Sequence, residues 1–589
     1  MKFLLSGNEA IARGAYEAGV RVAAAYPGTP STEILESLVQ YQDIYAEWSV
    51  NEKVALEVAL GAAIAGARAL ACMKHVGVNV AADPLLTASY TGIKAGLVIV
   101  TADDPEMHSS QNEQDNRQYA RFAKVPMLEP ADSQEAKDFV KLAFELSEQF
   151  DTPVFLRSTT RISHAKSIVE LSDPEHREPL HTLEHHFEKY VMLPRNARMR
   201  HPLVEERLKR LAAFADECDY NEIILQETDI GIIASGTCYQ YARESFPQKS
   251  FLKLSLVYPL PVKKIKEFAA RVKKLYVFEE LDPFYEEQIR ALGIPVTGKE
   301  VFPVCGEFSP TTARIAITGS KPKKNAPALL ETLPLRPPNM CPGCPHRSIF
   351  YVLKQMKVFV SGDIGCYTLG RLPPLSAMDT CICMGASVSG AMGIDKGIDK
   401  ALAPDNLGKA VAVIGDSTFL HSGMTGLLDI AYNRGACTVI ILDNRTTAMT
   451  GRQEHPGTGF TLRGQPTKQV DLKALCKALG IDHVRVIHPY DLEQVKSTLQ
   501  EEINRQEASV IISQAPCVLH RREFKPLGGP LNIDDNACIG CKACLQIGCP
   551  ALEWHPEGNR GKARINSDLC TGCTVCAQIC KKDAIRREG

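Results

Sequence analysis

The chain has 589 residues, too many for one hydrophobic core, and this length indicates roughly three to five domains. Apolar residues make up 45% and charged residues 23%, which is ordinary for a soluble globular protein. The formal net charge of -2 excludes a general nucleic-acid or membrane-surface binder, because neither sign of charge dominates.

The apolar segments of the sequence are short or interrupted. The apolar stretch at residues 3–5 is too short for the core of a signal peptide. The most apolar stretch, residues 54–73, is interrupted by Glu57 and Arg68, so no segment is predicted to span a bilayer. We therefore expect a cytoplasmic protein.

Residues 1–173 alternate short apolar strands with helical stretches rich in Ala and Gly. Residues 97–100 and 153–156 are predicted strands, and residues 52–70 are predicted to form one helix. This alternation predicts a parallel sheet covered by helices. Residues 174–225 are charged and rich in His and Arg, which favours a connecting helical segment over a core.

Two further α/β regions follow along the chain. Residues 229–234 and 275–278 are predicted strands of the unit at 226–320, and the Pro- and Lys-rich stretch at 321–340 is a predicted linker. Residues 341–520 form the third region. The predicted fold class is therefore α/β, with several doubly wound parallel-sheet domains.

The third region carries polar residues at the ends of two successive predicted strands. Asp416 follows one strand and Asn444 the next, and parallel neighbours bring both ends to one sheet edge, where α/β folds bind ligands. Mg²⁺ prefers oxygen ligands that it shares with phosphates. The Asp416 carboxylate, the Asn444 amide oxygen and the Thr446 backbone carbonyl are the candidate ligands. Ordinary turns at the strand ends are the alternative.

The spacing of this motif indicates the cofactor. Gly415-Asp416, followed 28 residues later by Asn444, resembles the signature of thiamine diphosphate enzymes, with Ser417 in place of the usual glycine. Gly415, Asp416, Asn444 and Thr446 are therefore candidate cofactor-binding residues.

Thiamine diphosphate enzymes also need a carboxylate beside the aminopyrimidine ring. The acid drives the ring to its imino tautomer, which then generates the reactive ylid. Glu52 is the candidate, at the start of a helix of small residues. The alternatives are a glutamate that only complements the helix dipole, and Glu57 as the acid.

The tail, residues 531–589, is rich in cysteine. Residues 533–544 and 565–576 match at an offset of 32 residues, an internal repeat that indicates two related sites. Eight of the twenty cysteines lie in this tail, and reducing thiol pools disfavour disulfides in the cytoplasm. Dense cysteine in that setting indicates metal.

Each half of the repeat carries a C-x-x-C-x-x-C run followed by a fourth cysteine. Three cysteines at this spacing wrap around one 4Fe-4S cubane, and the fourth thiolate comes from the other half. One cluster is assigned to Cys538, Cys541, Cys544 and Cys580, and the other to Cys570, Cys573, Cys576 and Cys549. We therefore predict a small bacterial-type two-cluster ferredoxin domain at the C-terminus.

Two details of the tail depart from the usual pattern. Four residues instead of three separate Cys544 from Cys549, and Lys581 replaces the usual proline after Cys580. The insertion can retune one cluster or alter its geometry. Structural zinc knuckles are the alternative, but zinc needs no third C-x-x-C step, so the doubled spacing favours clusters.

Several further motifs accompany these sites. They are Tyr26-Pro27-Gly28-Thr29-Pro30-Ser31-Thr32-Glu33, Asn51-Glu52, Cys341-Pro342-Gly343-Cys344-Pro345-His346, Gly362-Asp363-Ile364-Gly365-Cys366-Tyr367, Gly415-Asp416-Ser417-Thr418-Phe419, and residues 443–451. With the cysteine tail, they resemble the 2-oxoacid:ferredoxin oxidoreductases, and within them the large subunits of the indolepyruvate branch. The resemblance covers essentially the whole chain.

The resemblance implies a thiamine-enzyme architecture in the order of that family. It assigns a pyrimidine-binding domain to 1–173, a transketolase-C-terminal-like domain to 226–320, a thiamine diphosphate and magnesium domain to 341–520, and the ferredoxin domain to 531–589. It also implies that Glu52 is the acid that activates the cofactor.

The resemblance further bears on the substrate. It places Thr29 near the substrate carboxylate. Pyruvate-specific relatives carry an arginine after a Val-Thr-Ala strand end, where this chain has Asp103. An acid cannot clamp a carboxylate, so the resemblance implies a substrate other than pyruvate that is anchored elsewhere.

Related enzymes hold an extra 4Fe-4S cluster near the thiamine. The cysteines at the matching places are Cys341, Cys344, Cys366 and Cys517. The alternatives are buried packing cysteines, or a redox or zinc pair formed by Cys341 and Cys344. The expected cofactors are thus thiamine diphosphate, Mg²⁺ and two clusters, with a third left open.

The activity implied by the resemblance is oxidative decarboxylation of arylpyruvates, such as indolepyruvate, with coenzyme A. The expected products are aryl-acetyl-CoA and carbon dioxide, with electrons passing through the clusters to ferredoxin. A smaller β subunit is the expected partner. The alternatives are a non-redox thiamine-dependent carboligase or decarboxylase, and a non-catalytic iron–sulfur electron-transfer subunit.

Overall fold

The computed structural model describes residues 1–176, 185–320, 337–398, 410–520, 522–525, 527–557 and 560–587. The chain forms two compact units, Met1–Pro327 and Ala328–Gly589. Most of the predicted linker at 321–340, namely residues 321–336, lies outside the described residues. The other predicted domain limits stay predictions.

The first unit alternates strands and helices along the chain. Its strands are β1 (Lys2–Ser6), β2 (Val22–Ala25), β3 (Tyr45–Trp48), β4 (Ala69–Lys74), β5 (Leu97–Asp103), β6 (Met127–Leu128), β7 (Val154–Thr159), β8 (Lys166–Glu170), β9 (Glu222–Ile224), β10 (Glu227–Ser235), β11 (Lys249–Leu254), β12 (Leu256–Tyr258) and β13 (Lys274–Val277). Its helices are α1 (Gly7–Glu17), α2 (Thr32–Leu38), α3 (Glu52–Ile64), α4 (His75–Val80), α5 (Ala82–Thr91), α6 (Arg117–Ala123), α7 (Ser133–Phe150), α8 (Thr160–His164), α9 (Phe187–Tyr190), α10 (Pro194–Glu217), α11 (Gly236–Ser245), α12 (Val262–Arg271), α13 (Phe284–Ala291) and α14 (Pro310–Thr318).

The main sheet of this unit has the strand order β12-β6-β7-β5-β4-β2-β3. Neighbouring strands run parallel, except that β12 pairs antiparallel with β6. A second sheet has the order β13-β10-β11-β9. Because β12 lies in the sequence between two strands of the second sheet, it ties the two sheets into one unit. One apolar core also spans them, with Ile99 and Phe155 from the main sheet and Leu252 and Phe268 from the second region.

The second unit contains a parallel sheet followed by the cysteine-rich tail. Its strands are β14 (Phe359–Gly362), β15 (Thr380–Cys381), β16 (Ala410–Gly415), β17 (Thr438–Asp443), β18 (His483–Ile487), β19 (Ser509–Gln514), β20 (Leu531–Ile533), β21 (Leu552–Glu557), β22 (Arg560–Ile565) and β23 (Ile585–Arg587). Its helices are α15 (His346–Met356), α16 (Ala386–Gly397), α17 (Asp416–Thr418), α18 (Met424–Tyr432), α19 (Leu472–Ala478), α20 (Leu492–Ile503) and α21 (Val575–Ile579).

The sheet of the second unit has the order β15-β14-β16-β17-β19-β18, with every neighbour parallel. Both of its faces are buried. Val411 and Val413 of β16 enter the core on one face, and Ala412 and Ile414 enter the core on the other. Such strands appear in a sequence as continuous apolar runs. The predicted α/β fold class with doubly wound parallel sheets is confirmed.

The tail folds as two antiparallel pairs, β20 with β23 and β21 with β22. It packs on the sheet domain through a shared apolar core. Tyr490 and Ala515 contribute to this core from the sheet domain, and Ile547, Val575 and Ile579 contribute from the tail. The tail is therefore part of the second unit and not a separate body on a tether.

The strands predicted at 97–100, 153–156, 229–234 and 275–278 correspond to β5, β7, β10 and β13. The helix predicted at 52–70 is too long. Helix α3 ends at Ile64, Gly66 takes a φ of 91°, and β4 begins at Ala69. Small apolar residues suit a buried helix and a buried strand equally, so the apolar pattern alone did not reveal this boundary.

Among the described residues, no helix has both the length and the apolar character needed to cross a bilayer.

Buried ion pairs connect the two sheets of the first unit. Arg117, at the start of α6, has its Nη2 2.6 Å from Oδ2 of Asp115 and its Nη1 2.7 Å from Oε2 of Glu279, which follows β13. All three side chains are almost fully buried. Burial raises the pKa of Glu279 to about 7, although the positive charge of Arg117 opposes the rise. These carboxylates therefore depend on Arg117 to stay ionised.

Replacing Arg117 by methionine should destabilise the first unit by about 3–5 kcal/mol, because it leaves buried carboxylates without their cation. The measurement is the urea midpoint of unfolding at pH 8, followed by tryptophan fluorescence and circular dichroism. Arg121→Met is the matched control, since Arg121 lies exposed on the same helix. Equal midpoints for the two variants would contradict the role given to Arg117.

Candidate functional site

The carboxyl ends of the parallel strands in the first unit gather the candidate residues there. Thr29 follows β2, Glu52 lies just after β3, and β4 ends at Lys74. These strands are neighbours in the sheet, so their ends lie at one edge. The sheet order thus brings together the two residues predicted from the sequence, Thr29 and Glu52.

Glu52 is a buried carboxylate at the first residue of α3. Asn51 caps this helix by accepting a hydrogen bond from the Val54 N–H at 2.9 Å. Only 4% of Glu52 is exposed. A Cβ atom at Gly77 would lie 2.7 Å from Cγ of Glu52, so glycine at position 77 makes room for this side chain. Glu57, the alternative acid, is exposed and pairs with Lys53.

Lys74 is a cation at this edge that the sequence did not reveal. Its Nζ donates to the Ser109 carbonyl at 3.0 Å, and Oγ of Ser109 donates to the Thr29 carbonyl at 3.4 Å. Burial lowers the pKa of Lys74, while the charges of Asp104 and Glu52 oppose the fall. The sequence feature that could have identified Lys74 is its position at the end of a buried strand.

Asp103 occupies the position at which, by the resemblance, pyruvate-specific relatives carry an arginine. It is fully buried, and its Oδ2 lies 2.8 Å from Nε of Arg157 and accepts from the Asn116 N–H at 3.1 Å. Burial raises the pKa of Asp103 to about 6, with Arg157 opposing. Asp103 therefore belongs to the interior ion pairs of the sheet.

In the second unit, Asp416 and Asn444 lie at the ends of the adjacent strands β16 and β17. Oδ2 of Asp416 accepts a hydrogen bond from the Arg445 N–H at 2.9 Å, directly beside Asn444. Oδ1 of Asn444 accepts from the Thr446 N–H at 3.1 Å. The three predicted magnesium ligands are thus adjacent at one sheet edge.

The candidate magnesium site concentrates negative charge. Burial raises the pKa of Asp443 to about 6, and the negative charge of Asp416 adds to the rise. Burial acts in the same direction on Asp416, but His455, whose Nε2 lies 3.2 Å from Oδ2, holds the pKa of Asp416 below its usual value. Two buried carboxylates that repel each other fit a divalent cation.

Two histidines complete this site, and the sequence gave them no role. His455 lies beside Asp416, as described above. His346 is buried, and burial lowers its pKa to about 4, so the neutral ring accepts at Nε2 from Nδ2 of Asn444 at 3.2 Å. This contact fixes the amide so that Oδ1 keeps a lone pair for a metal. His346 stood in the Cys-Pro-Gly-Cys-Pro-His motif, which was the available signal.

Gly415 is required by close packing. A Cβ atom there would lie 2.8 Å from Cε1 of Tyr367. Tyr367 is buried and donates from its hydroxyl to the Ile364 carbonyl at 2.9 Å. Glycine at 415 therefore lets the tyrosine ring lie under the strand end that carries Asp416.

The cysteines form three sets within the second unit. We call Cys341, Cys344, Cys366 and Cys517 the proximal set, Cys549, Cys570, Cys573 and Cys576 the inner tail set, and Cys538, Cys541, Cys544 and Cys580 the outer tail set. All twenty cysteines lie in the described part of the chain, and none of them forms a disulfide there.

The proximal set is close to Asn444 of the candidate magnesium site. The N–H of Cys517 donates to the Asn444 carbonyl at 2.9 Å. Burial raises the pKa of Cys366 to about 11, and the neighbouring thiols of Cys517 and Cys341 add to the rise. Burial likewise raises the pKa of Cys344 to about 12, with Cys366 and Cys341 adding to it. The fold therefore brings these four cysteines together.

The tail cysteines group as the spacing predicted. The outer tail set lines one cavity, together with Trp554 and Lys542. Burial raises the pKa of Cys576, and the other three thiols of the inner tail set add to the rise, with a smaller effect from Cys544 of the outer set. The two tail sets are therefore adjacent, and each pools cysteines from both halves of the repeat.

The proximal set also adjoins the inner tail set. Gly343 takes a φ of 66°, and a Cβ atom there would lie 2.0 Å from Oγ1 of Thr571, in the loop of the inner tail set. The Tyr490 hydroxyl donates to the Gly343 carbonyl at 2.7 Å, and Nε2 of Gln578 donates to the Tyr490 carbonyl at 2.8 Å. The three sets therefore follow one another from the candidate magnesium site into the tail.

Models of three protein families match the chain. Residues 13–214 match the thiamine diphosphate-binding domain of pyruvate flavodoxin/ferredoxin oxidoreductases. Residues 363–513 match the C-terminal thiamine pyrophosphate-binding domain of thiamine pyrophosphate enzymes. Residues 530–581 match the 4Fe-4S dicluster domain. Thiamine diphosphate and iron–sulfur clusters are thereby confirmed as the cofactors of this chain.

Curated relatives match over nearly the full length. The indolepyruvate oxidoreductase subunit IorA of Archaeoglobus fulgidus is 43% identical, over 99% of this chain and 97% of its own. The corresponding subunit of Thermococcus kodakarensis is 40% identical, over 99% and 96%. A solved 2-oxoglutarate:ferredoxin oxidoreductase from Magnetococcus marinus aligns with 52% of this chain and 63% of its own, at 17% identity and a TM-score of 0.44.

Replacing Asp416 by alanine should weaken the binding of thiamine diphosphate with Mg²⁺ by more than about tenfold, because the metal loses a carboxylate ligand. The measurement is isothermal titration of the cofactor into protein prepared without oxygen. Asp429→Ala is the matched control, since Asp429 is exposed on α18, just beyond the segment that Asp416 begins. Wild-type affinity in the Asp416 variant would refute the assigned site.

Proposed function

Because this chain belongs to the IorA family of indolepyruvate oxidoreductase subunits, within the 2-oxoacid:ferredoxin oxidoreductases, we propose that it oxidatively decarboxylates arylpyruvates. Coenzyme A takes the acyl group, and the products are an aryl-acetyl-CoA and carbon dioxide. The bond between the carboxylate and the ketone carbon breaks, and a thioester bond forms. Two electrons leave one at a time to two oxidised ferredoxins, and one proton is released.

The first unit supplies the residues for cofactor activation and substrate binding. Glu52 holds the aminopyrimidine ring through its carboxylate and exchanges a proton with it. Thr29 binds the substrate carboxylate. Asp103 is paired with Arg157 in the interior, which supports a substrate that is not clamped in the manner of pyruvate.

The second unit holds the diphosphate and the metal. The Asp416 carboxylate, the Asn444 amide oxygen and the Thr446 carbonyl would hold Mg²⁺, which would neutralise negative charge of the diphosphate. Thiamine diphosphate, when bound, acts as the electron sink for decarboxylation, and iron–sulfur clusters accept electrons singly. His346 and His455 orient the metal ligands.

The observation that carries the proposal is that the candidate diphosphate and metal site and the three cysteine sets follow one another within the second unit. Cys517 of the proximal set donates from its N–H to Asn444, and Gly343 lies against the loop of the inner tail set. This placement supports three 4Fe-4S clusters, one held by each set. In this order, electrons pass from the cluster of the proximal set to that of the inner tail set and then to that of the outer tail set.

Electrons leave the protein from the cluster of the outer tail set. Cys541 and its neighbour Ile539 are exposed there, so an external acceptor can approach this end of the row. The curated relatives are named as subunits, which supports a smaller β subunit as the partner. Ferredoxin is the proposed acceptor.

Replacing Glu52 by glutamine should lower the turnover of 2-oxoacid by about 10²–10⁴-fold, because the amide cannot exchange the proton of the aminopyrimidine. Thiamine binding and iron content should stay at wild-type levels. Glu57→Gln is the matched control on the same helix and should keep full turnover. Activity of the Glu52 variant equal to that of the control would remove Glu52 from this role.

The function is tested by anaerobic co-expression with the smaller subunit and a panel of 2-oxoacids, with coenzyme A and a viologen dye. Indolepyruvate, phenylpyruvate and hydroxyphenylpyruvate should reduce the dye faster than pyruvate and 2-oxoglutarate. Cluster spectra that stay oxidised with every substrate would instead indicate a non-redox carboligase or decarboxylase. Purified protein that binds no thiamine would indicate an electron-transfer subunit.

A further inference from the structure

Arg347 is a buried cation between two of the cysteine sets. It lies in the first turn of α15, and only 3% of it is exposed. Its Nη1 donates to the carbonyls of Gly548 at 2.6 Å and Ile547 at 3.3 Å. Its Nε donates to the Cys341 carbonyl at 3.2 Å. The guanidinium therefore bridges the proximal set and the tail.

The remaining contacts of Arg347 are also to neutral groups. Its Nη2 donates to the Met340 carbonyl and, at 3.3 Å, to Oδ1 of Asn339. In the part of the chain that the structure describes, no carboxylate pairs with this guanidinium. A buried charge without a counterion is costly, so the site calls for negative charge from elsewhere.

The ionisable groups nearest to Arg347 are cysteines. Cys344 and Cys341 of the proximal set and Cys549 and Cys573 of the inner tail set interact with it electrostatically, and they would carry negative charge as cluster thiolates. The two sets lie far apart in the sequence. Arg347, which adjoins the proximal set, is 201 residues before its acceptor Gly548 in the tail. One cation is thus shared between two sets.

The unusual spacing in the tail supplies the acceptors for this cation. The loop between Cys544 and Cys549 is one residue longer than the usual pattern. It forms a short 3₁₀ turn, Cys544–Ile547, and Gly548 then takes a φ of 68°. The carbonyls at 547 and 548, at the end of this longer loop, are the ones that hold the guanidinium.

We propose that the fixed positive charge of Arg347 raises the reduction potentials of two clusters. One is the cluster held by the proximal set, and the other is the cluster held by the inner tail set. The proposal rests on the proposed function, because it requires clusters in both sets. Each cluster gains one negative charge on reduction, and a nearby cation in a low-dielectric surrounding stabilises the reduced form. One guanidinium between two clusters therefore favours electron entry to both.

The test is a redox titration of the anaerobic complex with its smaller subunit, followed by electron paramagnetic resonance. In Arg347→Gln both clusters should shift to more negative midpoints. At a fixed potential the ratio of reduced to oxidised cluster should fall about tenfold or more, which is 59 mV for a one-electron couple. Arg347→Lys keeps the positive charge and should stay close to the wild-type midpoints.

A second variant tests the charge without removing the arginine. Asn339→Asp places a carboxylate at the position of the amide oxygen that already accepts from Nη2, and Asn339 is exposed. It should shift both midpoints in the same direction as Arg347→Gln. This variant decides the matter if the glutamine variant fails to fold or loses iron.

Arg586→Gln is the matched control, because it removes one positive charge from an exposed position of the tail. It should keep the wild-type midpoints. Wild-type midpoints in Arg347→Gln would overturn the proposal. If that variant fails to fold or loses iron, wild-type midpoints in Asn339→Asp would overturn it instead. The titration uses dithionite and needs no substrate, so this failure is separate from a failure of 2-oxoacid turnover. An iron content that accounts for only the two tail clusters would also overturn the proposal.

Discussion

The parallel pairing of β16 with β17 is the constraint on which the second unit depends. Gly415 lies opposite Leu442 in this register, so Asp416 and Asp443 leave the sheet side by side. A shift of one residue would turn every side chain of the strand to the opposite face and separate the two acids. The apolar cores on both faces fix the register, because each face buries alternate residues of the strand.

Buried charge is handled differently in the two units. In the first unit, Arg117 and Arg157 lie against carboxylates that neutralise them, and the pair of Arg117 with Glu279 joins the two sheets. In the second unit the charge is left unbalanced at two places. Carboxylates crowd at Asp416, and a cation faces only neutral acceptors and thiols at Arg347. A protein keeps such an imbalance where a ligand of opposite charge completes the site, which is the role proposed for a metal at Asp416 and for clusters beside Arg347.

The tail is held to the sheet domain by specific contacts. Tyr490 links the loop of the proximal set to Gln578 of α21, and Gly343 permits the close approach of Thr571. Rigid spacing between the cysteine sets follows from these contacts. The candidate diphosphate site at Asp416 and the three cysteine sets thus belong to one packed unit, and Arg347 lies where the proximal set meets the tail.

The sequence by itself determined the cysteine groups of the tail, the doubly wound parallel sheets, and Asp416 with Asn444 as partners. These features depend on local spacing and on the alternation of buried strands with helices, which a sequence displays directly. Only the tertiary structure decided the end of α3, the pairing of Asp416 with His455, and the contact of Arg347 with the longer tail loop. These depend on contacts between residues far apart in the chain, or on small residues that suit helix and strand equally. Neither leaves a periodic pattern in the sequence.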